Sequence, residues 1–335
     1  MIQGSSTSLQ TSCHWRQVLA TAITDPTELW QRLGLPAELL PAARQAAELF
    51  SLRVTEPYLA RIRHGDPTDP LLRQVLPVSS ELIDKEGFTA NPVGDLEAMS
   101  IPGLLHKYAG RALLLATAAC GIHCRYCFRR TFPYTEANPS RNDWAEALAH
   151  IQADTSISEV ILSGGDPLSL SDQRLAQLAK KLARIPQLRR LRLHTRLPVV
   201  VPSRVDDALC EWLAASPLQT VMVLHINHPN EIDAAVEQAC SRLRGTGTTL
   251  LNQAVLLAGV NDDIDTQTRL SERLFEAGVL PYYLHQLDRV QGAAHFEVAD
   301  ETARRLQQQL RQRLPGYLVP KLVREQAGAD SKQPL

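Results

Sequence analysis

Residues 111–130 read RALLLATAACGIHCRYCFRR, a short apolar run that ends in three cysteines and a cluster of arginines. The run Ala112–Leu115 suits a strand buried on both faces, since it is short, apolar and bounded by a polar loop. Five further runs share this texture: Glu159–Leu162, Leu191–His194, Thr220–Ile226, Leu250–Leu257 and Leu280–Leu284. Helical patterns separate them, for example Leu175, Leu178, Leu182 and Ile185, with start signals at Ser171-Asp172, Ser203 and Asn230. Strand and helix alternating every roughly 30 residues predict βα units, hence parallel strands joined by right-handed crossovers. Six units fall short of a closed eight-stranded barrel, which leaves a partial barrel or an open doubly wound sheet. Either fold gathers ligands at the carboxyl ends of its strands. The polar residues there are Cys120, then Ser163-Gly164-Gly165-Asp166, His194 and Arg196, His225 and His228, and Asp288.

Upstream of the first strand the texture differs. Trp15, Val18, Leu19 and Ile23 recur at helical spacing, Leu29, Trp30 and Leu33 follow the breaker Asp25-Pro26, and a second periodic stretch covers 37–52. From Pro57 to Pro102 the chain reads as Pro-rich and irregular, with no catalytic motif, as a structural cap or partner surface would. Over all 335 residues, 35 basic side chains face 36 acidic ones, so no overall field favours nucleic acid or an anionic membrane. The longest apolar run, about 112–122, is far short of the roughly 20 residues a membrane span needs. The expectation is a soluble protein of a reducing, cytoplasmic compartment.

Six cysteines are present, and Cys120, Cys124 and Cys127 fall within eight residues in a C-x3-C-x2-C pattern. Neighbours this close mostly cannot pair, so this is no disulfide framework. Thiolates suit zinc or iron–sulfur clusters. A zinc site normally joins two CxxC pairs, and no second pair exists, although His123 is a possible fourth ligand. Three thiolates on a four-iron cluster leave one iron open for chemistry. A zinc-stabilised, non-catalytic interaction protein is the alternative from a different class.

C-x3-C-x2-C after the first strand of a six-fold βα chain resembles the radical SAM enzymes. That resemblance implies a partial (β/α)6 TIM-like barrel, with a [4Fe-4S] cluster on Cys120, Cys124 and Cys127 and S-adenosylmethionine on the fourth iron. Ser163, Gly164, Gly165 and Asp166 resemble the family's GGE-type segment, with Asp for Glu, and the implied partner is the methionyl amine. Beyond the core motifs, TRLPVVVPSR, HINHPNE, LLNQAVLLAGVND, PYYLHQLDRVQGAAHF, GYLVPKLVRE and SKQPL together resemble the lysine 2,3-aminomutases, in the short bacterial branch that makes (R)-β-lysine from L-lysine to modify elongation factor P. The expected division is a helical N-terminal region at 1–105, the barrel at 106–290, and a C-terminal segment at 291–335.

This resemblance implies an isomerase that also uses pyridoxal phosphate. Lys332, one of six lysines, matches the family's Schiff-base lysine, although a lysine in such a tail is ordinarily a solvated, mobile side chain. Lys107, Tyr108 and Arg111 match positions that hold the cofactor's phosphate and ring. Arg129 falls where the substrate carboxylate is clamped, a job that suits a guanidinium fork, whereas Arg130 reads as a solvated neighbour. Asp288 matches a contact for the distal amine of lysine. At the second such position long-chain relatives have Asp and this chain has Glu325, with Asp330 as an unmatched alternative. His225, Asn227 and His228, with Asn252 and Gln253, lie where the family reaches S-adenosylmethionine. The implied partners are an electron donor, elongation factor P and its β-lysine ligase, with no nucleic acid or membrane. Within the same chemistry, an aminomutase for arginine or glutamate is the nearer alternative.

Overall fold

The computed structural model describes residues 14–135, 137 and 144–335; Cys13 lies outside them. Ten strands form one sheet: β1 Met99–Ile101, β2 Leu104–Tyr108, β3 Arg111–Thr117, β4 Glu159–Gly164, β5 Arg190–Thr195, β6 Gln219–Leu224, β7 Thr249–Val255, β8 Leu280–His285, β9 Lys321–Arg324 and β10 Gln333–Pro334. Their spatial order is their chain order. A doubly wound sheet reverses its order about a switch point. This one never does, so the partial barrel is the fold. Strands β3 to β9 run parallel, while β1–β2–β3 and β9–β10 pair antiparallel.

Among the described residues, the helices of eight residues or more are, in chain order, α1 Pro26–Leu33, α2 Leu40–Leu49, α3 Ala145–Ala153, α4 Asp172–Ala183, α5 Asp207–Ala214, α6 Ala234–Gly245, α7 Ile264–Glu276 and α8 Asp300–Arg313. The six from α3 to α8 are the crossovers of the six expected βα units. Among the described residues, no helix is long and apolar enough to cross a membrane. Helix α4 starts as predicted, with Ser171 accepting from the Arg174 amide. Two others start later than the sequence signals, because Pro202–Arg204 and Pro229–Glu231 form separate 3-10 turns. Asp206 and Asp233 are the true caps, each accepting from the amide three residues on at 2.9 Å.

Both edges of the sheet add something the periodicity did not show. Before β3, the Pro102-Gly103 turn, with Gly103 at φ +79°, joins β1 to β2 in a stretch read as irregular. After β8, helix α8 leads to a seventh parallel strand, β9, and the tail returns as β10, pairing Gln333 with Arg324 and Pro334 with Val323. Lys332 is therefore tied to the sheet and half-buried, not solvated.

The N-terminal segment wraps the barrel and shares its core. Trp15, Leu29 and Leu72 belong to the same buried cluster as Leu114, Leu162 and Leu193. Thr55 donates to the Val200 carbonyl at 2.5 Å and Arg61 to that of Val199 at 2.5 Å, so the wrap also satisfies backbone acceptors in the short helical stretch after β5.

The SGGD turn after β4 locks onto the loop after β3. Gly165 N donates to Thr117 O and Asp166 N to Ala119 O, both at 2.7 Å. A Cβ on Gly165 would lie 2.4 Å from the Ala119 carbonyl oxygen, and Gly164 sits at φ +113°. Glycine is needed here because backbone meets backbone. Gly165→Ala is expected to cost about 1–3 kcal/mol in denaturant unfolding and to raise the reactivity of Cys120 toward a thiol reagent.

Candidate active site

A cavity of about 360 Å³ opens inside the barrel. Its wall includes Cys120, Cys124, Cys127 and Arg129 from the loop after β3, Ser163 to Asp166 after β4, and His225, Gln253, Asp288, Glu325 and Lys332 from later elements. Lys107, Tyr108 and Arg111 line it from β2 and β3. Asn227, Asn252 and the alternative Asp330, all expected from sequence, are not in the wall, and neither is His228. Its Nδ1 accepts from the Asn230 amide at 3.1 Å, so it caps a turn.

The cysteine loop is pinned from the N-terminal side. Arg125, fully buried, grips Glu81 through two bonds of 2.8 and 2.6 Å and donates to the Phe50 and Ala46 carbonyls. Arg130 also reaches Glu81, at 2.7 Å, so it is an anchor and not the solvated neighbour expected. His123 stacks on Phe50, with its Nδ1 2.8 Å from the Ser51 carbonyl oxygen. Below Cys124 lies a buried polar network that sequence reasoning missed. Arg196 donates to Cys124 Sγ at 2.7 Å, Tyr126 Oη at 2.8 Å, Gln74 at 2.6 Å and Glu231 at 2.8 Å. Burial pushes the Cys120 thiol well up and that of Cys127 to about 11.

Asp166 and Asn227 turn out to be scaffold pins. Asp166 accepts from Thr195 Oγ1 and from the amides of Leu168, Arg196 and Leu197, which occupies both carboxylate oxygens. Asn227 ties Tyr126, Gln74 and the Val255 amide, and Asn252 exchanges two bonds with Ile226. His225 does line the cavity, its Nε2 2.9 Å from Tyr126 Oη; burial, then Arg196, pushes it down to about 3. His194, whose Nε2 is buried without a hydrogen-bond partner among the described residues, belongs to the same wall.

Another part of the wall is a balanced array of charges. Lys332 Nζ lies 2.6 Å from Glu325 Oε2, while Glu325 Oε1 accepts from Tyr108 Oη at 2.7 Å and faces Lys107 at 3.5 Å. Burial alone would raise the Glu325 carboxyl, but Lys332, Tyr108 and Lys107 hold it below its usual value. Lys107 reaches on to Asp95 at 2.6 Å, and Asp95 accepts from Arg129 Nε at 2.6 Å. Arg129 Nη1 donates to Ser163 Oγ at 3.3 Å. Asp95 comes from the stretch read as a cap without chemistry. Asp330, the alternative to Glu325, is exposed and away from the wall. Asp288 lines the cavity, and burial, reinforced by Glu325 and Asp95 against Lys332 and Lys107, pushes its carboxyl up to about 7.

Comparison with known proteins agrees with this arrangement. The radical SAM superfamily matches residues 114–264. The L-lysine 2,3-aminomutase of Escherichia coli K12 is 49% identical over 96% of this chain and 94% of its own length. The chain belongs to the L-lysine 2,3-aminomutase family. The Haemophilus influenzae relative is also 49% identical, over 95% of this chain and 94% of its own length, and that of Clostridium subterminale is 33% identical over 96% and 77%. This is a family of radical SAM isomerases, and membership implies a [4Fe-4S] cluster with S-adenosylmethionine.

The residues present fit that cluster. Three soft donors share one wall, and metal binding would ionise Cys120 and Cys127, whose burial favours the protonated thiol. One zinc ion would need its sulfurs about 3.8 Å apart, given bonds near 2.3 Å. Among the described residues, the three thiols are not a set within 4.8 Å of one another. His123, committed to Ser51 and Phe50, does not complete a zinc set. Membership of an enzyme family sets aside the non-catalytic zinc protein. Arg196→Gln would strand the buried Glu231 carboxylate and strip a donor from Cys124. We expect a loss of about 3–5 kcal/mol in denaturant unfolding and reduced iron after reconstitution, with Arg196→Lys a poor rescue because one ammonium cannot serve four partners.

Proposed function

We propose that this protein converts L-lysine to (R)-β-lysine, with pyridoxal phosphate as a second cofactor beside the cluster. One observation carries the reading: a single cavity holds the three thiols, the tail lysine Lys332, the guanidinium of Arg129 and the two carboxyls Asp288 and Glu325. When bound, the cluster with S-adenosylmethionine supplies hydrogen-atom abstraction, and pyridoxal phosphate supplies a carbonyl that captures an amine and a ring that delocalises the electron.

The chain's own residues do the rest. Arg129, held by Asp95 on its Nε edge, turns its remaining donors to a substrate carboxylate. Asp288 and Glu325 offer acceptors to a distal ammonium. Lys332 is the amine positioned to bond the cofactor, and Glu325 keeps it in place. Arg111, whose guanidinium lies 4.7 Å from the Tyr108 ring, suits the cofactor phosphate better than Lys107, which already faces Val93, Asp95 and Glu325. The barrel and its N-terminal wrap keep bulk water from reactive intermediates. We further infer a cytoplasmic setting, an external electron donor, and a product passed to a ligase that modifies elongation factor P.

Anaerobic reconstitution with iron, sulfide, pyridoxal phosphate and S-adenosylmethionine, then incubation with L-lysine, is expected to yield β-lysine. Lys332→Ala should abolish turnover and leave bound iron unchanged. No β-lysine from the wild type, or turnover of arginine or glutamate in preference to lysine, defeats the assignment. Because Asp288 is protonated below about pH 7 and charged above it, KM for lysine should fall as pH rises through 7. Asp288→Asn should raise KM and flatten that profile.

A further inference from the structure

We propose that His106, His150 and Asp154 form a divalent-cation site of the zinc class on the outer face of the barrel, apart from the cavity. Each offers one donor atom, and the three atoms lie within 4.8 Å of one another. Two imidazoles and a carboxylate are a donor set that zinc takes with one position left for water.

The backbone presents these donors together. His150 and Asp154 are four residues apart across the end of α3, where the Asp154 amide donates to the His150 carbonyl at 3.1 Å, so their side chains share one face. His106 comes from β2. It faces the Asp154 carboxylate at the end of α3 and is absent from the cavity wall, which both Lys107 and Tyr108 line. The carboxylate is oriented in advance. Ser156 donates twice to Asp154 Oδ1, from its amide at 3.0 Å and its hydroxyl at 2.6 Å, leaving Oδ2 toward His106 Nδ1 at 3.7 Å. Gln187 steadies the same helix end through the Ile151, Gln152 and Asp154 carbonyls. All three side chains are half-buried, which leaves an ion an entry path.

Both histidines act on Asp154 and, after the two Ser156 hydrogen bonds, help hold its carboxyl below the usual value. A favourable helix dipole accounts for His150 but not for His106. A shared cation uses all three. At bond lengths near 2.0–2.1 Å the donors would draw in to about 3.3 Å apart, a shift that side-chain rotation supplies. The ion would then fasten β2, the strand carrying Lys107, to the first crossover helix.

The cysteine loop is the competing binder, so the test uses cluster-loaded protein free of any histidine tag, under anaerobic conditions. Titration with Co2+ should give one equivalent, saturating by about 100 μM, with d–d bands of nitrogen and oxygen ligation and none of the near-ultraviolet charge transfer that thiolates produce. Zn2+ should displace it and raise the unfolding temperature with concentration. His106→Gln and His150→Gln should each weaken binding about 10-fold or more, while a Cys120→Ala/Cys124→Ala/Cys127→Ala variant keeps the site. Circular dichroism checks that each variant folds. No saturable binding, thiolate bands, or binding that survives loss of both histidines overturns the proposal. The readout is metal occupancy, so it stands or falls separately from the lysine reaction.

Discussion

Everything in the cavity depends on how the cysteine loop is seated. On one side two backbone bonds, from Gly165 and Asp166 to Thr117 and Ala119, hold the start of the loop against the neighbouring strand's turn. On the other side Arg125 and Arg130 clamp its end to Glu81. The first contact excludes any side chain at Gly165, and the second buries two cations on one carboxylate. Both are costly to build and costly to break, which suits a loop whose three sulfurs must keep a fixed spacing around a metal centre.

The same constraint appears as charge balance deeper in the barrel. Lys332, Glu325, Lys107, Asp95 and Arg129 alternate in sign along the wall, each within ion-pair distance of the next. No charge in this chain is left alone in a poor dielectric. Asp288 stands apart from it and is the group whose ionisation is left near neutrality. In the function proposed above, such a cavity takes a zwitterion with an extra cation, with a guanidinium for one end and carboxyls for the other.

Much of this was legible in the sequence. Six apolar runs became six parallel strands in place, and the expected site residues face the cavity except Asn227, His228, Asn252 and the alternative Asp330. What escaped was whatever periodicity and motif do not encode. Asp95 lies in an irregular, Pro-rich stretch and acquires its role only because the chain folds back over β2. Arg196 and Glu231 are single polar residues at the ends of different strands, and only the fold makes them partners. His228 was misjudged because a strand-end histidine reads alike whether it caps a turn or meets a ligand. Lys332 looked mobile because two-residue strands such as β10 leave no pattern to read.

The shared core of the N-terminal wrap and the barrel bears on how such a chain can be divided or recombined. The wrap contributes Glu81, which holds the cysteine loop, and Asp95, which neutralises two of the cavity's cations, besides the donors that cover the Val199 and Val200 carbonyls. A barrel transplanted onto a foreign leader would carry every motif residue and still lack its internal counterions. The smallest exchangeable module is therefore wrap and barrel together, and recombination between relatives should succeed only where both sides of each ion pair come from the same parent.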